Sequence, residues 1–96
     1  MPTVIQRHDI LYNAIREPVM LSLRQGFAVL SLESRGGVPV LYVLADPKAK
    51  SDDRFIQLFT TGQEVPAGAM HIGTVPFGDG DRALVCHAFF VPRPTG

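Results

Sequence analysis

Three histidines, one cysteine and a few turns carrying hydroxyl and acid groups are the side chains here with chemistry to offer. A metal or acid–base site needs at least two imidazoles close together. His71 and His87 lie on two apolar segments flanking a turn near 78–81, so strand register decides whether they meet. With His71 opposite Ala88 the imidazoles emerge on opposite faces, and with His71 opposite His87 they are directly opposed. A slip of one residue exchanges the two outcomes. Even an opposed pair needs a third ligand from Asp or Glu, so a structural role is favoured for both. Cys86 sits inside an apolar run, where a thiol behaves as a small hydrophobe. Neighbours in a strand point to opposite faces, so Cys86 and His87 cannot form a nucleophile–base pair.

The turns offer ligand contacts more than catalysis. Asp79-Gly80-Asp81 has the look of part of a calcium loop, but it lacks the remaining acidic ligands and reads as a tight turn. Asp46-Pro47 ends the most apolar segment, and Arg54 opens a later one. A carboxylate near a guanidinium can hold a polar ligand, although the plainer reading has Asp46 capping its loop and Arg54 paired at the surface. Thr60-Thr61-Gly62-Gln63 brings hydroxyls, a permissive glycine and an amide into one turn able to receive an anion. Asp46, Arg54, Thr61, Gly62 and Gln63 are therefore the candidate ligand-binding residues. No nucleophile elbow, P-loop or carboxylate pair stands out, so no catalytic residue, metal site or cofactor is expected.

Eight prolines and nine glycines, spread along 96 residues, leave little room for long helices. Short runs of Val, Ile, Leu and Phe between turn residues read as strands at about 3–8, 18–23, 27–34, 38–45, 54–60, 69–76 and 83–91. Val19, Leu21 and Leu23 fall on one face at period two, as do Leu30 and Leu32. Residues 38–45 and 83–91 are apolar on both faces, which suits a central strand or one that meets a partner chain. Residues 27–45 form a hairpin. A three-residue Arg35-Gly36-Gly37 loop sets Leu30 opposite Tyr42 and Leu32 opposite Val40. Pro39 must then turn its missing donor away from the ladder or lie near a bulge or edge. One short helical turn near residue 12 is possible before Pro18, and a helix capped at 51–53 is the weaker alternative to a strand over 54–60.

The expected fold is all-β: one domain, a small antiparallel sandwich or partly open barrel, with a frayed tail at 92–96. Nine basic and nine acidic residues cancel, which argues against non-specific nucleic-acid binding or an anionic membrane surface. Seven of the basic residues are arginines, but they are scattered. No apolar run is long enough to cross a membrane, and one cysteine cannot build a disulfide framework, so a cytoplasmic protein is the expectation.

Several strings occur in a suggestive order: Gly26-x-x-Val29-Leu30-Ser31, Pro39-Val40-Leu41-Tyr42-Val43-Leu44-Ala45-Asp46-Pro47, Arg54 with Thr61-Gly62-Gln63, His71-Ile72-Gly73-Thr74-Val75, and Leu84-Val85-Cys86-His87-Ala88-Phe89. In these the chain resembles a family of short β-rich proteins encoded by tailed phages and prophages. Tyr42 and Cys86 stand where that family has Trp, and Thr60 and Gln63 replace the outer Gly and His of its turn. The resemblance implies a small β fold and an accessory role in an infected or lysogenic host cell.

Three functions are then in view. The leading one is a non-enzymatic accessory protein that binds a host or phage protein, such as a host-defence component. The second is a small-ligand binder, for a nucleotide-like anion, with Arg54, Thr61, Gly62 and Gln63 lining a site at a subunit boundary. The third is an enzyme using His71 and His87 with an acidic partner; a minor virion component is a further possibility. A homo-oligomer, most simply a twofold dimer, would cover surplus apolar surface and strand edges.

Overall fold

Each of the seven apolar segments becomes a strand. The computed structural model describes residues 2–10, 12–78 and 84–94. The strands are β1 (Val4–Asp9), β2 (Val19–Arg24), β3 (Ala28–Arg35), β4 (Val38–Ala45), β5 (Ser51–Thr60), β6 (Met70–Phe77) and β7 (Leu84–Val91). The helical turn near residue 12 is a single 3-10 turn, Tyr12–Ile15, and Pro18 follows it. Residues 51–53, weighed as a helix cap, instead begin β5. The tight turn, or calcium loop, of Asp79-Gly80-Asp81 lies outside the described residues, as do Thr95 and Gly96.

Two antiparallel sheets form, β1-β4-β3 and β2-β5-β7-β6, and among the described strands no barrel closes. The all-β sandwich follows from the alternation. Val19 and Leu23 from β2, Ile56 and Leu58 from β5, Cys86, Ala88 and Phe90 from β7, and Leu41 and Val43 from β4 make one core between the sheets. Ile10 and Ala14, around the 3-10 turn, close one end of it. The two segments apolar on both faces, β4 and β7, are each interior strands of their sheets. On the outward face of β4, Val40 is buried between Asp9 and Glu33 of the flanking strands.

The β3–β4 hairpin corrects the expected register by one residue. Arg35 pairs with Val38, so the loop is Gly36-Gly37 alone, with φ of 58° and 81°. Two successive positive φ values make the type I′ turn whose twist matches a hairpin, and glycine adopts them without a Cβ clash. Leu32 therefore faces Leu41, Ser31 faces Tyr42, and Leu30 drops out at a bulge between Val29 and Ser31, 49% exposed. Leu30 and Leu32 do not share a buried face. Pro39 lies just past the end of the β1–β4 ladder, whose last pair is Asp9 with Val40, and its carbonyl accepts the Ile10 amide at 3.0 Å.

Two contacts bring the sheets together along β3 and β6. A Cβ on Gly73 of β6 would stand 3.1 Å from the Leu32 Cβ, so a side chain here requires Leu32 to give way by a few tenths of an ångström. At the hairpin end, the Gly78 amide donates to the Gly37 carbonyl at 2.9 Å.

The connection from β5 to β6 has the longest way to travel. Both strands pair antiparallel with β7, which lies between them, so β5 and β6 run in the same direction. Residues 61–69 must carry the chain back along the length of β7. Val65 bounds a hollow with Phe59 and Phe89, whose side chains face away from the core, so the connection straps the outer face of this sheet.

Candidate functional site

A bulge in β6 brings the two histidines to one face. His71 lies opposite Phe89 and Thr74 opposite His87, with the register shift between His71 and Gly73. His71 and Thr74 are three positions apart, an odd interval that strict alternation would send to opposite faces. The extra residue at the bulge restores them to the same one. Neither register weighed from the sequence occurs, and the imidazoles are neither opposed nor on opposite sides.

They are joined through a hydroxyl. His71 Nε2 lies 3.3 Å from Thr74 Oγ1, which lies 2.9 Å from His87 Nδ1. His87 Nε2 lies 3.1 Å from Thr61 Oγ1, at the start of the strap. A neutral imidazole has one donor and one acceptor nitrogen, so this chain of four side chains runs in one direction or the other. In one, Thr61 donates to His87, His87 to Thr74, and Thr74 to His71; in the other, every donor and acceptor exchanges. A protonated His87 donates from both nitrogens and fits the same positions. The His71 ring also stands 5.1 Å from that of Phe89, and Phe89 meets Phe59 edge-on at 5.6 Å. The Thr60–Gln63 turn, Val65, His87, Phe59 and Phe89 enclose a hollow of about 230 Å³.

Thr61, Gly62 and Gln63 are therefore together, but their turn is internally satisfied. The Thr60 amide donates to Gln63 Oε1 at 2.7 Å, and the Gln63 amide to the Thr60 carbonyl at 3.1 Å. Arg54 is not with them. It lies near the other end of β5, roughly 20 Å away at about 3.3 Å per residue. Its guanidinium carbon stands 4.7 Å from the ring centre of Phe90 and 5.3 Å from that of Phe27. Asp46 belongs to a third place: its carboxylate accepts the Lys48 amide at 2.9 Å and its carbonyl the Ala49 amide at 3.1 Å. That is the loop cap read from the sequence, without a pairing to Arg54.

A family model for a domain of unknown function, DUF7352, matches residues 1–95. The chain belongs to this family. No curated protein and no solved structure matches it significantly.

In this DUF7352 domain the other reactive groups are placed quietly. Cys86 is fully buried, and burial pushes its thiol up, away from the reactive thiolate. His8 faces inward from β1 opposite Leu41, and its Nε2 is buried without a hydrogen-bond partner. Burial lowers its pKa below the ordinary 6.5. Among the described residues no group of three or more His, Cys, Asp or Glu side chains is placed to hold a metal ion. No helix among them is long and apolar enough to cross a membrane.

Thr74, Phe59 and Phe89 were not legible as site residues. The bulge that aligns Thr74 carries no sequence signal beyond Gly73, and the phenylalanines read simply as strand formers.

Proposed function

We propose that the protein acts by binding another protein through the outer face of the β2-β5-β7-β6 sheet, and that it performs no chemistry of its own. The observation that carries this reading is the make-up of that face. His71, His87, Thr74 and Thr61 supply adaptable donors and acceptors beside Phe89, while Val85 of β7 is 54% exposed next to them. Exposed apolar and aromatic side chains beside polar groups that can exchange hydrogen bonds are the composition of a transient interface.

The same geometry weighs against the enzyme reading. An imidazole that activates a hydroxyl needs its second nitrogen oriented by a group that stabilises the imidazolium, usually a carboxylate. Here the second group is another threonine, and none of the three hydrogen bonds reaches an acid. The resemblance to phage and prophage proteins supports an accessory role, with a host or phage protein as partner and the host cytoplasm as its place of action. Self-association as a dimer is part of the same proposal, since Ile5 on the β1 edge, away from that face, favours being covered.

The test is affinity capture from host lysate with three baits, each checked for folding by thermal unfolding: wild type, V85E combined with H71A, and E33Q on the other sheet. A partner retained by wild type and E33Q but lost by the double variant is expected. Equal capture by all three baits would sink the proposal.

A further inference from the structure

We infer that a second cavity, at the end of the sandwich where β5 begins and β7 ends, receives a small organic carboxylate on Arg54. The cavity holds about 390 Å³ and is lined by Arg54, Met70, Phe90 and Pro92, with Asp53 and Arg93 at its rim. That volume lies in the range of small-molecule sites.

Arg54 is the reason to look for a ligand. It points inward from β5, in line with Ile56 and Leu58, and is half-buried. Phe27 and Phe90 meet edge-on, with ring centres 5.7 Å apart, and the guanidinium packs against both rings. A cation–π contact holds the guanidinium by its charge and takes up none of its five N–H donors as a hydrogen bond. No described residue takes a hydrogen bond or ion pair from those donors. Arg24 shows the alternative: also half-buried, it donates to the Ala49 carbonyl at 3.0 Å. An arginine serving only to cover the open end of the core would be expected to do likewise.

The surroundings set the class of ligand. Arg93 is 4.0 Å from Asp53 and stacks 5.2 Å over the Phe55 ring, so the rim pair is already neutral. One positive charge remains, on Arg54. Its planar fork matches the two oxygens of a carboxylate, and a single charge suits a monoanion better than a phosphate dianion. Phe90, Val91, Pro92 and Met70 then offer apolar wall to the rest of the ligand. Met70 is 62% exposed, and a thioether in that position adapts to the shape that arrives.

The experiment is an NMR titration of the Arg54 Nε–H and the Met70 methyl with 3-phenylpropionate, its neutral amide and inorganic phosphate. Saturable shifts at both groups are expected with the acid, and binding weaker by about tenfold or more with the amide and with phosphate. R54M, which keeps the aliphatic contact with the rings, should lose the response; if it does not fold, R54K should weaken it by removing the fork. Equal binding of acid and amide, equal binding of phosphate, or no saturable shift would each overturn the assignment.

Discussion

The two outward faces of the sandwich solve the same problem differently. On β1-β4-β3, polar groups are satisfied along single strands. Arg7 Nε bonds Asp9 at 2.8 Å, Ser31 bonds Glu33 at 3.1 Å, and Arg35 lies 3.7 Å from Glu33. All are two residues apart, the spacing that keeps neighbours on one face of a strand. On β2-β5-β7-β6 the corresponding groups are satisfied across strands, from the strap through β7 to β6, and only after a bulge has set the parity. A face finished strand by strand depends on nothing beyond local pattern. A face assembled across strands depends on the register of the whole sheet, here on the bulge in β6.

That contrast presumes that both faces belong to one cooperative unit. L58A removes a fully buried side chain from the shared core and should cost about 2–5 kcal/mol in urea unfolding. Resonances from both sheets should be lost at one midpoint; separate midpoints would make the faces properties of two independent layers. G73V is the next largest effect. It forces a side chain against Leu32 and should cost about 1–3 kcal/mol, partly recovered in combination with L32A.

T74V sharpens the comparison directly. It removes the hydroxyl shared by both imidazoles and should cost about 1 kcal/mol, with a double-mutant cycle against H87F showing coupling. Additive effects would mean that the chain of hydrogen bonds is not held in solution. The third imidazole behaves otherwise, because His8 is inward and orphaned. Its lowered pKa means that the unfolded chain binds more protons, so stability should fall as pH drops below about 6.5 towards the lower folded value. H8F should flatten that slope in thermal unfolding from pH 7 to pH 5; an unchanged slope would assign it to other groups. The smallest effect belongs to the strand-wise face. R35A should cost no more than about 0.5 kcal/mol, since its partner is exposed and its charge screened.

The same contrast explains what the sequence made legible. Alternation in Val19, Leu21 and Leu23, turn residues between apolar runs, and Pro18 after a short helical pattern are enough for seven strands in an all-β sandwich or open barrel, with a short helical turn as an option near residue 12. They are enough because these are local preferences that the core reinforces. The β3–β4 register was misplaced by one because a Gly-Gly pair closes a two-residue turn, and because a bulge at Leu30 then absorbs the slip. The candidate site was legible only in part. Thr61, Gly62 and Gln63 are adjacent in sequence and stayed together, whereas Arg54 and Asp46 were joined to them by residue type alone. The link from His71 through Thr74 to His87 depends on where one extra residue enters β6, and side-chain chemistry does not encode that.

The bond from the Gly78 amide to the Gly37 carbonyl has a use as a reporter. Its donor ends one sheet and its acceptor lies in the hairpin turn of the other. Fraying confined to either sheet's far edge leaves it intact, whereas parting of the layers at this end exposes it to solvent. Hydrogen exchange at this one amide therefore times the opening of the two layers here, separately from the fluctuations of each.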